Sequence, residues 1–434
     1  MIKSCDPVLF RTTYEEKDTH MLEQTFVRQG VIDRLRRGPL GPHLDPFATS
    51  LHRQGYASSS IQSFLGAAEK FAQWLQGQGY SVYEMDEDLV RDYLSGLTRH
   101  RGGNLPKAAQ GLGHLVTFLR HQGLTRPRLD ALSISPVDQW LSAYDTHLEQ
   151  VAGLALSTRQ NKRHIVRGFL TDCFGTEPPD WTSLTAATIT TFVSQNASMR
   201  RNSGRKKPAE AIRSFLRFLV FRGEIRPGLE SAAPSPPQWK YASLPSRLTP
   251  EEVERVLAVY PDGSAISLRN RAMLFLLARL GLRAQEVVSL CFEDIDWADG
   301  RFALRPGKTR RARNVPLPHD VGQAIVTYLQ NGRPQSASRQ VFVQSRAPFG
   351  SLTGASVWAI VRQAFTRAGI LVPPGVASHI FRHTIASQMV NHGASFKDVA
   401  DVLGHQSIQT TGIYAKLELE TLAAVALPWG GGIR

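Results

Sequence analysis

His379, Arg382, His405 and Tyr414, gathered in one stretch near the C-terminus, have the side chains needed to work on a phosphodiester. A guanidinium grips non-bridging oxygens with a two-pronged fork, an imidazole moves a proton, and a phenol can attack phosphorus. His379 and Arg382 are three residues apart, so on a helix they share a face and can meet one ligand. The helical pattern HIFRHTIASQMVNHG is followed by a second, FKDVADVLGH, which closes at His405, and Tyr414 comes after a polar loop. Each residue alone has a plainer reading: a tyrosine near a chain end packs, and a histidine at a helix end makes a hydrogen bond. Their coincidence in one stretch points to chemistry on nucleic acid.

The composition agrees with that chemistry. With 51 Lys and Arg against 37 Asp and Glu, the net charge of +14 favours a polyanionic partner. Charge alone does not separate DNA from RNA or an anionic membrane. The 434 residues suffice for several domains, and 42% hydrophobic residues supply their cores. Cys5, Cys173 and Cys291 are scattered and odd in number, which argues against a disulfide framework or a zinc site and fits a reducing cytoplasm. The longest apolar run, AMLFLLARLGL, is short and carries Arg279, and the N-terminus lacks the apolar core of a signal peptide. A soluble, cytoplasmic, nucleoid-associated protein without a membrane partner is expected.

The elements that must position these residues read as a multidomain chain. All-α helical bundles are followed by a mixed α/β, mainly helical domain with a small antiparallel sheet. Residues 1–43 form an N-terminal segment with one short helix ahead of the breaker GPLGP; 44–130 and 131–225 are two helical bundles; 226–247 is a Pro-rich, extended linker. Overlaying the bundles pairs Phe71 with Phe169, Tyr93 with Phe192, Lys107 with Lys207, Phe118 with Phe218, Leu119 with Leu219 and Gly123 with Gly223, as two copies of one unit would. Thr249, Pro250 and Glu252 have the signature of a capped helix start and open the last domain, 248–416. Three strands are expected at roughly 294–297, 301–305 and 313–317, divided by Asp-Gly and Pro-Gly turns. The tail, 417–434, carries Leu417, Leu419, Leu422 and Val425 on a weakly amphipathic pattern. Basic runs at Arg200, Arg201, Arg205, Lys206 and Lys207, and at Arg310, Arg311 and Arg313, are candidate contacts to the DNA backbone, with solvated loops as the plainer alternative. His114, His121, His319, His383 and His392 are assigned to surface or packing, and Trp239, Trp297 and Trp358 to core or linker anchors.

From residue 248 onward the chain resembles the catalytic domain of the tyrosine recombinases, the phage integrase family. LGLRAQEVVSL is similar to the family's first arginine box, with Arg283 as the catalytic arginine and Glu286 its acidic neighbour. PGKTRRARNVPLP is similar to the hairpin bearing the catalytic Lys308; HIFRHT supplies His379 and Arg382, and LGHQSIQTTGIYAK supplies His405 and the nucleophile Tyr414. Phe381 and Val287 stand where the family more often has leucine. The second bundle is similar to the family's core-binding domain; the first bundle is an addition to that architecture.

The resemblance implies a site-specific recombinase that cuts and rejoins double-stranded DNA through a 3′-phosphotyrosine, an integrase or transposase of a mobile element. It also implies a DNA clamp acting as a tetramer on two paired sites, with other recombinases or DNA-bending proteins as further partners. Arg283 and Arg382 would neutralise the pentacoordinate phosphate, His379 take the phenol proton, Lys308 give one to the leaving 5′ oxygen, and His405 bond a non-bridging oxygen. No cofactor, metal or ATP is needed, because the protein–DNA bond conserves the energy of the broken one. Asp294 and Asp296 are read as a strand turn rather than as metal ligands. An accessory DNA-binding protein and a type IB topoisomerase-like enzyme are the rival readings.

Overall fold

A computed structural model describes residues 21–98, 105–125, 135–175, 177–199, 204–235, 246–261, 263–305, 312–371 and 378–404. They divide into two compact units, one drawn from Met1–Thr125 with Tyr241–Arg434, the other from Arg126–Lys240. Among the described residues no helix is long and apolar enough to cross a membrane.

The first helical bundle contains α1 (Met21–Thr25), α2 (Gln29–Arg37), α3 (Gly41–Arg53), α4 (Ser58–Gly77), α5 (Glu87–Thr98) and α6 (Leu105–His121). The single N-terminal helix read from the sequence is two, and Leu22, Ile32 and Leu35 join the bundle core. GPLGP does not separate that segment from the bundle. Gly41 and Pro42 start α3, because the amide that proline lacks would be unbonded in a helix's first turn.

The other unit contains α7 (Pro136–Gln150), α8 (Leu156–Phe174), α9 (Ala186–Ser198) and α10 (Lys206–Phe221). Residue pairs matched by the sequence overlay occupy matching places. Phe71 meets Tyr93 at 5.2 Å between ring centroids, and Phe169 meets Phe192 at 5.1 Å. Helices α6 and α10 both end on a left-handed glycine, Gly123 and Gly223, after which the next amide bonds back to Leu119 and Leu219 at 2.9 and 3.0 Å. The linker begins later than its prolines suggest. Arg213 donates to the Ala233 carbonyl at 2.6 Å and to Ser235 at 2.7 Å, Thr190 donates to the Ala232 carbonyl, and Ala233 is buried in this unit's core.

The last domain, folded with the first bundle in one compact unit, starts as its capping residues predict. Glu252 N donates to Thr249 Oγ1 at 3.2 Å and Thr249 N donates to the Glu252 carboxylate at 2.9 Å, opening α11 (Pro250–Leu257). Then follow α12 (Ala265–Leu280), α13 (Ala284–Ser289), the strands β1 (Ile295–Asp296), β2 (Arg301–Leu304) and β3 (Arg313–Pro316), α14 (His319–Asn331), α15 (Gly354–Arg367), α16 (His379–Asn391) and α17 (Phe396–Leu403). The strands pair antiparallel in the order β1-β2-β3, with Phe302 opposite Val315 and Leu304 opposite Arg313. Helix α12 is the axis of the core: Ala272, Met273, Leu274, Leu276 and Leu277 are fully buried. Each such leucine is worth roughly 1.5–3 kcal/mol. Phe381 uses its extra bulk by stacking on Phe365 at 5.5 Å. Trp297 and Trp358 are 48% and 39% exposed, so neither is the core anchor expected of it. The tip Ala347–Phe349 reaches the first bundle, where Phe349 covers Gly55 so closely that a Cβ there would lie 2.2 Å from its ring.

Gly281 ends α12 with φ 59 and ψ 30, a left-handed cap that costs a non-glycine residue about 1–2 kcal/mol. A Cβ there would meet Leu403 at 3.0 Å and Ile385 at 3.2 Å, so the glycine also sets how closely α16 and α17 approach. Gly281→Ala is therefore expected to destabilise this domain by about 2 kcal/mol, a fall of roughly 5 °C in its melting transition. Calorimetry showing an unchanged transition would contradict this packing.

Candidate active site

Helix α12 stops at Gly281, and two residues later Arg283 sits in extended conformation at the N-cap of α13. Its side chain is thereby directed across the C-terminal end of α17. Arg283 Nη1 donates to Glu286 Oε1 at 2.9 Å and Nη2 donates to the Gly404 carbonyl at 2.9 Å. Glu286 also accepts from the Arg283 amide at 2.8 Å and from Arg313 Nη2 at 3.0 Å, so one carboxylate bridges two guanidiniums. Arg382, on α16, donates through Nη1 to the Gly281 carbonyl at 2.9 Å and through Nη2 to the Leu403 carbonyl. Arg313 Nη1 donates to the same Leu403 carbonyl at 2.7 Å. Three guanidiniums from three separate stretches thus close on the ends of two helices, with one carboxylate among them.

Their exposures differ in a way that sorts them. The Arg283 side chain is 24% exposed and that of Arg313 12%, while Arg382 as a whole is 4% exposed. Arg283 is the guanidinium that presents most surface to an incoming anion. Replacing Arg382 takes this donor from the buried Gly281 carbonyl, a cost of about 1–3 kcal/mol, so substitution there damages folding.

His379 begins α16, one turn before Arg382 and His383, and its residue surface is open to solvent. Its pKa lies below the ordinary histidine value, through local desolvation first and then the charges of Arg382 and Arg283. The imidazole is therefore neutral at neutral pH and able to accept a proton. Thr384 on the same helix accepts from the buried Leu248 amide at 2.9 Å, which pins α16 to the first residues of the domain.

Of the residues singled out in the sequence, the structure brings together Arg283, Arg382 and His379, with Glu286 beside them. Lys308, His405 and Tyr414, and the basic residues Arg200, Arg201, Arg310 and Arg311, lie outside the described residues. Arg205 and Lys207 are exposed and Lys206 half-buried at the start of α10. Arg313 differs from its reading as a surface DNA contact: it is turned inward, with Nη1 donating to Leu403 and Nη2 to Glu286. A signal was present, since Arg313 lies two residues before the buried Val315 and so on the inner face of β3. The carbonyls of Gly281, Leu403 and Gly404 have no such signal. His383, read as surface or packing, is partly buried against the site.

Burial, then the charges of His379 and Arg382, push the His383 pKa down from the ordinary 6.5 to about 4. Between those two values the unfolded chain binds a proton that the folded chain refuses, so stability falls as pH falls through this window. The loss is up to about 3 kcal/mol. His383→Gln is expected to flatten the melting temperature between pH 7 and pH 5 relative to wild type; identical slopes would contradict the assigned environment.

Residues 246–420 match the Phage integrase family. A Sinorhizobium fredii protein provisionally named integrase/recombinase y4rA is 38% identical over 402 residues, covering 92% of this chain and 97% of that protein. Tyrosine recombinase XerD of Mycobacterium tuberculosis is 34% identical over 230 residues, 51% of this chain and 71% of its own. Among solved structures, the XerH recombinase in a post-cleavage complex with a palindromic difH substrate superposes with a TM-score of 0.51 at 17% identity, over 71% of this chain and 94% of that one. With the arginines of both boxes closed on the turn that precedes His405, and with a relative matched along almost its entire length, the chain belongs to the phage integrase family of tyrosine-type site-specific DNA recombinases.

Proposed function

We propose that this recombinase cuts duplex DNA by attack of Tyr414 on phosphorus and rejoins the 3′-phosphotyrosine to a different 5′ end. The reading rests on one observation: Arg283 and Arg382 converge on the carbonyls of Gly404 and Leu403, one and two residues before His405. That convergence supports a single pocket shared by the two arginine boxes and the histidine–tyrosine motif. In the forward step the Tyr414 oxygen bonds to phosphorus and its proton passes to the neutral His379. The bond from phosphorus to the 5′ oxygen breaks, and that oxygen takes a proton from Lys308. Arg283 and Arg382 offset the charge on the non-bridging oxygens, and His405 donates to one of them.

The cations around Lys206 and Lys207 open a 16-residue helix, where the backbone dipole already favours an anion, so a DNA phosphate would gain from both. The complete set of motif residues favours an active enzyme over an accessory DNA-binding protein. Exchange between two sites requires several copies of the chain, and a tetramer on two paired sites meets that need. The biological setting we favour is a mobile element, as its integrase or transposase, working on chromosomal DNA inside the cell.

The test is a supercoiled plasmid carrying two copies of DNA from beside the gene, compared with a plasmid lacking it, in EDTA. Wild type is expected to give recombinant circles only from the two-site plasmid, and Tyr414→Phe none. Relaxation of the siteless plasmid without exchange would instead identify a topoisomerase-like enzyme.

A further inference from the structure

We propose that Arg313 is a positioning residue that fixes the base of the β2–β3 hairpin against the Arg283–Glu286 pair and thereby sets the reach of Lys308 to the leaving oxygen. The inference rests on the reading of Lys308 as proton donor.

Arg313 faces Leu304 in the last described pair between β2 and β3, so this pair is where the sequence 305–312, which contains Lys308, joins the two strands. A lysine on such a segment can be aimed only as well as its base is held.

Arg313 spans two acceptors on different elements, the Glu286 carboxylate at 3.0 Å and the Leu403 carbonyl at 2.7 Å. Its guanidinium also occupies the space over Gly404, where a Cβ would come within 1.9 Å of Nη1. Burial lowers its pKa, with Glu286 opposing and Arg283 adding to the effect. A third, largely enclosed guanidinium beside Arg283 and Arg382 is electrostatically unfavourable, so its place implies a function that an apolar strand residue would not serve. The end of α17 does not depend on it, because Arg382 also holds Leu403 and Arg283 holds Gly404. What Arg313 adds is a tie between the mouth of the hairpin and the carboxylate that orients Arg283. Lysine cannot replace it, since an ammonium lacks the fork that spans both acceptors.

A DNA strand with sulfur in place of the bridging 5′ oxygen separates this role from general support of the fold. In the normal step the phosphorus–oxygen bond breaks and the oxygen needs a proton; in the sulfur substrate the phosphorus–sulfur bond breaks and a thiolate leaves without one. The probe is a nicked duplex from DNA beside the gene, its scissile phosphate mapped with wild type, cleaved in single turnover by the full-length protein. Arg313→Lys and Arg313→Gln are expected to cut the ordinary strand about 100-fold more slowly than wild type yet to cut the sulfur strand within about fivefold, matching Lys308→Ala. Should the glutamine variant melt below the assay temperature, the lysine variant, which keeps the charge, decides the matter. Equal slowing on both substrates, or none on either, overturns the inference. Failure of sulfur to rescue Lys308→Ala removes the proton-donor reading and this inference with it, whereas rescue of Lys308→Ala but not of the Arg313 variants removes this inference alone.

Discussion

Guanidinium groups bonded to the carbonyls at two helix ends are the interaction on which the described site depends. The last carbonyls of an α-helix have no partner within it and carry the negative end of its dipole. Here α12 and α17 both finish on left-handed glycines, Gly281 and Gly404, which turn the chain and leave the Gly281, Leu403 and Gly404 carbonyls facing inward. Arg382, Arg313 and Arg283 satisfy them, and the carbonyls in turn make it tolerable to hold three like charges together. Neither partner would be stable there alone: a buried unpaired carbonyl costs about 1–3 kcal/mol and a buried unpaired guanidinium more.

That arrangement leaves a defined excess of charge. Among the described residues three guanidiniums stand against the Glu286 carboxylate, and carbonyl dipoles hold the cations in place without neutralising them. A phosphate entering beside Arg283 therefore meets donors that need little reorganisation, which is the condition under which fixed charges lower a barrier most. Desolvation first, and then the same arginines, lower the pKa of His379 and keep it neutral and so able to take a proton. The local excess of positive charge and the neutral state of His379 belong to one packing arrangement.

Much of this could be read in the sequence, and the limits have physical causes. Features set by neighbours in the chain were legible: the Thr249–Glu252 cap, the break at Gly281, and the three strands with the Asp-Gly turn between the first two. The paired aromatics of the two bundles were legible too, because Phe71 with Tyr93 and Phe169 with Phe192 stand at nearly equal spacing in the chain and meet in the same way. The choice of partner was not. The acceptors for Arg283, Arg313 and Arg382 are backbone atoms, which every residue has, so no side-chain pattern announces them. Arg313 was obscured by its basic neighbours, although its place on the face of Val315 marked it as inward. Residues 226–235 contain proline and little periodicity, yet they pack on the second unit through the carbonyls of Ala232 and Ala233, again through the backbone.

Identification of the residue that bonds to DNA tests the account most directly. Wild type and Tyr414→Phe would be incubated in EDTA with nicked duplexes from DNA beside the gene, denatured, digested, and searched by mass spectrometry for a peptide carrying nucleotide. The account predicts an adduct from wild type alone, on Tyr414 and through a 3′ phosphate. An adduct on another residue, an adduct from the phenylalanine variant, or specific binding with no adduct from wild type would contradict it.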